Sequence, residues 1–443
     1  MKLSIPKPTN ISGDSWGALA AMLVALPSAI AFGVTIYAPL GSEYIAYGAL
    51  AGILGATFLG LIAPVFGGTN RLITAPCAPA AAVLSAFVID YMSKGGSVET
   101  AVMMVALLGL ITGFLQVGFG VFRLGQLIKY MPYTVVSGYL SGVGLYIIAS
   151  QTPKFLGAPK GTHFWEALGT PDFWRWEGIA VGLATALIMT FAARFTKLIP
   201  AAILALVGGV ASYFALSIFE PALLSLEHNK LIIGPLGGGG GFFEAMAQKV
   251  EGIKSFDVAD LALLIMPALT LAALLSIDTL KTCVVLDAIT RSRHDSNKEL
   301  IGQGLGNIGC AICGGIPGAG TMGATLVNIS SGATTKLSGF LEGVLSLVAF
   351  LVLAPLISWV PISALAAILI VIGFRMIDTH SFAFLRSRST MLDFVVIAAV
   401  VTTALTVSLI AASGVGVALA ILLFIRENIE SSIVRRKALG NES

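Results

Sequence analysis

Three polar side chains lie inside a long apolar stretch, and they are the residues best placed to handle ions. Asp278, Lys281 and Thr282 stand three and four residues apart within the apolar run 261–288, so on a helix they share one face. Ionisable groups within a membrane span are costly to bury and by default mark an ion pathway. The alternative is a structural Asp278–Lys281 pair that only neutralises itself. Glu342, in another apolar run, has no evident partner and is a candidate packing or gating residue.

Proline and glycine break two other apolar regions, at 74–79 and at 314–321. The segments are Thr-Ala-Pro-Cys-Ala-Pro and Gly-Gly-Ile-Pro-Gly-Ala-Gly-Thr. If a half-helix follows each break, two helix N-termini with free N–H groups and positive dipole ends face each other. Such a pair is an anion site that needs no basic side chain. Ordinary kinks, or small residues that allow close helix packing, are the alternative, but two breaks in corresponding positions favour the anion site.

Other short patterns have simpler interpretations. The segment 318–323 matches GxGxxG, but no strand or βαβ unit is predicted around it, so nucleotide binding is not expected. Cys310 and Cys313 have no further Cys or His nearby, which favours two buried thiols over a zinc site. No nucleophile–base pair lies in the apolar runs and no basic run alternates with aromatics, so neither an enzyme nor a nucleic-acid-binding protein is predicted.

The composition indicates that these segments lie in a lipid bilayer. Of the 443 residues, 56% are hydrophobic and 11% are charged, whereas soluble domains have about 25% charged residues. A spanning helix needs about 20 residues, most of them apolar. The apolar runs predict fourteen helices, at 15–36, 46–66, 79–92, 100–121, 132–150, 178–195, 200–218, 259–289, 300–313, 320–330, 337–357, 362–374, 391–411 and 413–425.

A polar stretch divides these helices into two sets of seven, and each set contains one of the short, broken helices. A repeat with an odd number of helices enters the membrane upside down in its second copy, as in many secondary transporters. We therefore predict an all-α integral membrane fold with a 7+7 inverted repeat and two half-helices that meet at the midplane. The predicted parts are a first repeat at 1–219, an extracytoplasmic linker at 220–257, a second repeat at 258–427 and a cytoplasmic tail at 428–443.

The basic residues predict the orientation of the helices. Lys and Arg collect in the loops on the side of the two termini, and cytoplasmic loops are enriched in both residues. Both termini are therefore predicted to be cytoplasmic, in an inner or plasma membrane. The N-terminal ten residues are polar and lack the features of a signal peptide, so the first helix is expected to be retained.

Several motifs along essentially the whole chain match one family of transporters. They are Gly13-Asp14, Ala25-Leu-Pro27, Gly67-Gly-Thr69, Arg293-His-Asp-Ser-Asn-Lys-Glu-Leu-Ile-Gly-Gln-Gly304, Gly314-Gly-Ile-Pro-Gly, Val327-Asn-Ile and Ile377-Asp378. On these residues the sequence resembles the SulP family of inorganic anion transporters, which includes sulfate permeases, bicarbonate transporters and the motor protein prestin. The resemblance implies a core domain that moves against a gate domain as an elevator, and a homodimer.

The resemblance also implies an anion site between the third and tenth helices. Carried over onto this sequence, its residues are Ser28 and Phe32 in the first helix, Cys77 and Ala78 at the third-helix break, and Gly320, Thr321 and Met322 at the tenth. The implied substrate is a small inorganic anion, with sulfate and bicarbonate leading and chloride or a dicarboxylate within the class. An anion channel or a voltage-responsive protein on the same scaffold is the alternative function.

Cation coupling is the second implication. The bicarbonate-transporting branch, which the segment 25–33 resembles, has sodium ligands at positions that correspond to Asp278 and Thr282, so sodium is the one cofactor that the resemblance implies. Two residues depart from the family pattern: Lys281 replaces an apolar residue, and Cys77 replaces a hydroxyl. We predict that the fixed charge of Lys281 replaces the coupling cation. The alternative is that Lys281 points along the helix to another partner while Asp278 and Thr282 still bind sodium.

The end of the sequence also differs from the family pattern. The resembled family usually continues into a cytoplasmic STAS domain after the last helix, whereas this sequence stops at Ser443. The expectation is a membrane domain without a STAS domain, either because the protein lacks it or because the sequence is truncated.

Overall fold

The computed structural model describes most of the predicted membrane region. It covers residues 10–41, 43–126, 133–159, 162, 164–195, 201–226, 229, 231–235, 261–377 and a few positions between 395 and 403. Most of the predicted linker, the predicted helix at 413–425 and the tail lie outside the described residues, as does most of the helix predicted at 391–411.

The chain divides into two compact units. The larger consists of Met1–Ile128 with Ile147–Ile372, and the smaller of Lys129–Tyr146 with Gly373–Ser443. All residues of the candidate site belong to the larger unit. In the smaller unit, Gly144 packs closely against the backbone oxygen of Gly373.

The described elements are helical apart from two short strands. The helices are α1 Ile11–Tyr37, α2 Glu43–Phe66, α3 Ala78–Ser93, α4 Val98–Val121, α5 Tyr133–Leu156, α6 Phe164–Gly169, α7 Trp176–Phe195, α8 Ala201–Ser217, α9 Leu261–Thr290, α10 Ser296–Ile312, α11 Met322–Ser330, α12 Leu337–Ile357 and α13 Ile362–Met376. The strands are β1 Thr74–Pro76 and β2 Gly318–Gly320.

Five of the described helices are long and apolar enough to cross a membrane. They form the candidate spans Ile11–Leu40, Glu43–Phe66, Val98–Val121, Leu263–Thr290 and Leu337–Ile357. The predicted helices agree with the described ones to within a few residues at most ends. The helix predicted at 320–330 begins instead at Met322, because Gly320 belongs to β2. The short helix α6 was not predicted, and its Trp165 is 80% exposed, which suits an aromatic residue at the membrane interface.

Helix α2 lies at the centre of the larger unit, since it packs against α1, α10 and α12. Its crossing with α1 depends on glycine. A Cβ atom at Gly33 would lie only 1.9 Å from the backbone oxygen of Gly48, and one at Gly52 only 2.1 Å from that of Ala29. Glycine therefore lets the two backbones touch, as small residues do in membrane helix pairs.

The two strands join the predicted breaks. They are antiparallel, with Thr74 opposite Gly320, Ala75 opposite Ala319 and Pro76 opposite Gly318. Both breaks were predicted from the sequence, but the pairing between them was not. The extended backbone is buried in protein, as non-helical backbone at membrane depth must be.

Candidate anion-binding site

The site begins where the two strands lead into helices. Strand β1 ends at Pro76 and α3 starts at Ala78, while β2 ends at Gly320 and α11 starts at Met322. Because the strands are antiparallel, the helices leave the two-strand ladder in opposite directions and both direct their N-termini towards it. The positive ends of both helix dipoles therefore point to the same region.

Neither of these helices is capped by its own N-cap side chain. Cys77 precedes α3 and Thr321 precedes α11, both with extended backbone and without a side-chain cap hydrogen bond. By contrast, Asn10 accepts a hydrogen bond from the N–H of Gly13, Ser97 from that of Thr100, and Asp295 from those of Asn297 and Lys298. The two helix starts at the ladder thus leave their first N–H groups available to a ligand.

The two helix starts offer different numbers of donors. At α11, the N–H groups of Met322, Gly323 and Ala324 make no hydrogen bond with the described residues, and the first bonded one is Thr325, to the Thr321 oxygen at 3.2 Å. Gly323 is exposed, and no atom lies within 4 Å of the position of a Cβ there. Open space therefore adjoins the N-terminus of α11.

At α3 the free donors are fewer. Pro79 has no N–H, and the N–H of Ala80 faces the sulfur of Cys77. This leaves the N–H of Ala78 before Ala81, the first residue with a backbone hydrogen bond. The N–H of Ala319 also faces the sulfur of Cys77. The Cys77 side chain therefore lies between the start of α3 and the middle of β2.

Hydroxyl groups and backbone atoms hold the ladder in place beside α11. Thr279 of α9 accepts a hydrogen bond from the N–H of Gly320 at 2.9 Å. The N–H of Thr321 bonds the oxygen of Ile73 at 2.8 Å, and Thr325 accepts from the N–H of Ile73 at 3.1 Å. This role of Thr279 could not be predicted, because a threonine within an apolar helix carries no signal of a distant backbone partner.

Two amide side chains of α10 bond the first residue of each strand, Asn307 at Gly318 of β2 and Gln303 at Thr74 of β1. The side chain of Asn307 accepts a hydrogen bond from the N–H of Gly318 at 2.9 Å and donates one to its oxygen at 3.0 Å, so it pairs like a third strand. It also donates to Gln116 of α4 at 2.7 Å. Gln303 donates to the hydroxyl of Thr74 at 2.8 Å. These residues were not predicted either.

The charged face of α9 lies next to these helix starts, since α9 packs against both α3 and β2. Lys281 forms an ion pair with Asp278 at 3.0 Å, and their side chains are 39% and 19% exposed. The thiol of Cys77 is within electrostatic range of both charges. Thr282 is fully buried, and its hydroxyl donates to the backbone oxygen of Asp278 at 2.9 Å. The predicted pair is therefore formed, whereas Thr282 bonds its own helix.

The carboxylate of Asp278 already has a cationic partner. One oxygen of Asp278 is already bonded to the ammonium group of Lys281, which neutralises the carboxylate. Among the described residues, no group of three or more His, Cys, Asp or Glu side chains could hold a metal ion. The sodium that the resemblance implied at Asp278 and Thr282 stays a prediction.

Helix α1 supplies the remaining predicted residues. Its Ala21 and Ala25 form a buried cluster with Ala75 of β1 and Ala324 of α11. Ser28 follows Ala25 by three residues and Phe32 follows Ser28 by four, so they continue along this face. Ser28 is partly buried and Phe32 is 4% exposed.

The structure thus places five of the seven predicted anion-site residues at the ladder. Cys77 and Ala78 begin α3, and Gly320, Thr321 and Met322 lead into α11. Glu342 and the two thiols of the CxxC pair lie in other elements. Cys310 is buried and donates to the oxygen of Ile316 at 3.0 Å, whereas Cys313 is only partly buried.

Comparison with known proteins identifies the family. The model of the sulfate permease family matches residues 11–400. The bicarbonate transporter BicA of Picosynechococcus sp. is 35% identical over 435 residues, which cover 96% of this chain and 72% of that protein. The putative sulfate transporter YvdB of Bacillus subtilis is 27% identical over 427 residues, which cover 94% of this chain and 74% of that protein.

Solved structures agree with this result. The transmembrane domain of a cyanobacterium bicarbonate transporter BicA has a TM-score of 0.76 at 32% identity, and the match covers 91% of this chain and 97% of that one. The murine Solute Carrier 26 family member A9 anion transporter, in its inward-facing state, has a TM-score of 0.78 at 17% identity, over 95% of this chain and 69% of that one. The second match shows the fold alone.

These matches confirm the predicted fold class, a helical integral membrane protein with an inverted repeat. The predicted resemblance is confirmed as well. From its match to the family model over most of its length, the chain belongs to the sulfate permease family.

Proposed function

We propose that this protein is a secondary transporter that carries a small inorganic anion across the membrane, with sulfate and bicarbonate as the leading substrates. The observation that carries the proposal is the pair of uncapped helix N-termini, at Cys77 and Thr321, on either side of one two-strand ladder. An anion between them would accept hydrogen bonds from backbone N–H groups and lie at two positive dipole ends. The names of the bicarbonate and sulfate transporters among its relatives support the same class of substrate.

We propose alternating access of the elevator type for the movement. The ladder, both helix starts and the ion pair on α9 all belong to the larger compact unit. A site built within one unit can move as a body and keep its hydrogen bonds while access changes from one side of the membrane to the other. In this proposal the larger unit contains the core that carries the anion.

Uptake into proteoliposomes tests the function. The purified protein is reconstituted, and uptake of radiolabelled sulfate and bicarbonate is measured against protein-free liposomes over a range of concentrations. Saturable uptake of either anion is the expected result. Large unitary currents without saturation would favour an anion channel instead, and no flux of any small inorganic anion would contradict the proposal.

The ion pair on α9 leads to a proposal about coupling. Lys281 pairs with Asp278 near Cys77, so the carboxylate has a cationic partner without bound sodium. Uptake by the wild type should then be independent of sodium. Lys281→Leu should be inactive or newly dependent on sodium, because Asp278 loses its partner.

The matched control is Lys94→Leu. Lys94 also pairs with an aspartate on the same helix, Asp90, but both side chains are more than half exposed, at 67% and 60%. Exposed pairs contribute little, so this variant should transport like the wild type at every sodium concentration. Strict sodium dependence of the wild type would overturn the coupling proposal while leaving anion transport intact.

The assembly and orientation are further parts of the proposal. The first repeat comprises 1–219, the linker 220–257, the second repeat 258–427 and the tail 428–443, with both termini on the cytoplasmic side of an inner or plasma membrane. Two copies form a homodimer. Native mass spectrometry of the detergent-solubilised protein tests the dimer, and labelling of single cysteines placed near each terminus tests the orientation.

A further inference from the structure

A buried glutamate lies where α12 crosses α2. Glu342 is 0% exposed. One carboxyl oxygen, Oε1, accepts a hydrogen bond from Ser346 at 3.2 Å, while Oε2 has no hydrogen-bond partner among the described residues. Thr57 of α2 is also fully buried, with an unpaired hydroxyl. The anion site described above uses neither residue.

The surroundings of Oε2 are closely packed. A Cβ at Gly60 of α2 would lie 2.5 Å from this oxygen, and one at Gly343 would lie 2.6 Å from the backbone nitrogen of Leu61. The two helices thus touch beside the carboxyl group. This packing leaves the carboxyl against helix backbone, which is not a setting for a hydrated metal ion.

The two helices packed against α12, namely α1 and α2, contain no basic residue that could compensate a charge on Glu342. In the described α1, α2 and α12, the other charged residues are Asp14 and Glu43, and Lys336 lies at the N-cap of α12. Lys336 is six residues away, about 9 Å along the axis, and Glu43 is seventeen residues from Gly60, about 25 Å. The other titratable groups of these helices are near their far ends: Tyr37, Tyr44 and Tyr47.

Asp14 is already bonded elsewhere. Its carboxylate accepts hydrogen bonds from the N–H groups of Thr334 and Thr335 at 2.7 and 3.0 Å. Lys336 donates to the backbone oxygen of Gly67. Lys336 therefore has another partner, and Asp14, as an acid, offers no positive charge to Glu342.

A second buried glutamate has hydrogen-bond donors at both carboxyl oxygens and serves as a comparison. Glu299 of α10 is 2% exposed. Its Oε2 accepts from the N–H of Gly68 at 2.8 Å and its Oε1 from Gln303 at 2.9 Å, and the ammonium group of Lys336 is within electrostatic range. Both oxygens have N–H donors and a cation is near, whereas Glu342 has one hydroxyl donor.

We propose that Glu342 is a proton-binding site, and that its carboxyl group is neutral when α2 and α12 are packed as they are here. An ionised carboxylate without donors or a cation is very costly in an apolar interior, and the surrounding bilayer makes it costlier. A proton on Oε2 removes this charge.

Infrared spectroscopy of the reconstituted full chain tests the proposal. The probe is the proton itself: difference spectra at pH 7 compare the wild type with Glu342→Gln and, as a matched control, with Glu299→Gln. The first difference should contain the carbonyl band of a carboxylic acid, and the second should contain carboxylate bands. Carboxylate bands in the first difference would overturn the proposal.

Thermal unfolding provides a second readout that needs no transport. If Glu342 is neutral, the folded state binds a proton that the unfolded chain releases at neutral pH, so raising the pH lowers the stability of the wild type. Glu342→Gln removes this term, so its melting temperature should fall less than that of the wild type. Equal slopes for the two proteins would contradict the proposal. If the variant does not fold, the wild-type spectrum decides, because absence of any carboxylic acid band at pH 7 overturns it.

Discussion

The helix N-termini of this protein differ in their caps: side chains cap α1, α4 and α10, whereas α3, α11 and α12 have no such cap, and of these three α3 and α11 begin at the β1–β2 ladder. Asn10, Ser97 and Asp295 cap α1, α4 and α10 with their side chains, and such a cap stabilises a protein by about 1 kcal/mol. Cys77 and Thr321 do not cap α3 and α11. The first N–H groups of α3 and α11 thus lack side-chain caps at the two helix starts where an anion could accept hydrogen bonds.

Side chains of neighbouring helices fix the strands that lead into α3 and α11. Asn307 pairs with Gly318, Gln303 with Thr74 and Thr279 with Gly320, all through side chains. These bonds satisfy the strands that precede the helices and leave the first turns of the helices free. Rigidity therefore comes from the neighbouring helices α9 and α10, which is the pre-organisation that an open binding site needs.

The largest expected effect comes from capping an open helix. Thr321→Asp places a carboxylate at the N-cap of α11, where it takes the N–H groups and the dipole that the anion would use. Uptake should fall at least tenfold while the melting temperature stays at or above that of the wild type. Ser97→Asp, at a helix that is already capped, is the control and should transport normally. Full uptake by Thr321→Asp would show that the N-terminus of α11 does not bind the anion.

The next largest effect concerns the start of α3. A small charged thiol reagent at Cys77 should block uptake, and the transported anion should slow the block, because Cys77 lies beside the N-terminus of α3. Cys77→Ser should transport and resist the reagent. Mass spectrometry of the labelled peptide confirms the modification, and normal uptake by fully modified protein would count against this placement.

A smaller effect is expected from the residue that holds β2. Asn307→Ala leaves both backbone groups of Gly318 without their side-chain partner, and an unsatisfied buried group costs about 1–3 kcal/mol. We expect a lower melting temperature and an apparent KM raised about tenfold, because the ladder loses its fixed position. A change in the maximal rate with an unchanged KM would mean that Asn307 does not position the site.

The smallest effect on transport is expected at a capped helix. Asp295→Ala removes two hydrogen bonds at the start of α10, which should cost about 1 kcal/mol of stability. The melting temperature measures this loss. The KM for the anion should not change, and an altered KM would show that capped and uncapped helix starts are not separate in function.

Much of this arrangement could be predicted from local patterns. Apolar runs gave most of the described helices, and the Pro and Gly residues in 74–79 and 314–321 marked both breaks. The spacing of Asp278 and Lys281 predicted their pairing, which the structure has at 3.0 Å. These features depend on residues near one another in the sequence.

The remaining features depend on residues far apart in the sequence. The pairing of Thr74 with Gly320 joins two halves of the chain, and no local pattern specifies that register. The roles of Thr279 and Asn307 depend on where distant strands pass their helices. The environment of Glu342 likewise depends on Gly60, a small residue in another helix.

The most direct test of the central claim is a structure with the transported anion bound. Once uptake has identified that anion, its position can be determined by electron cryomicroscopy or, for a sulfate analogue such as selenate, by anomalous diffraction. The account predicts an anion within hydrogen-bond distance of backbone N–H groups in the first turns of α3 and α11, beside the β1–β2 ladder. An anion bound elsewhere, with these N–H groups free, would contradict it.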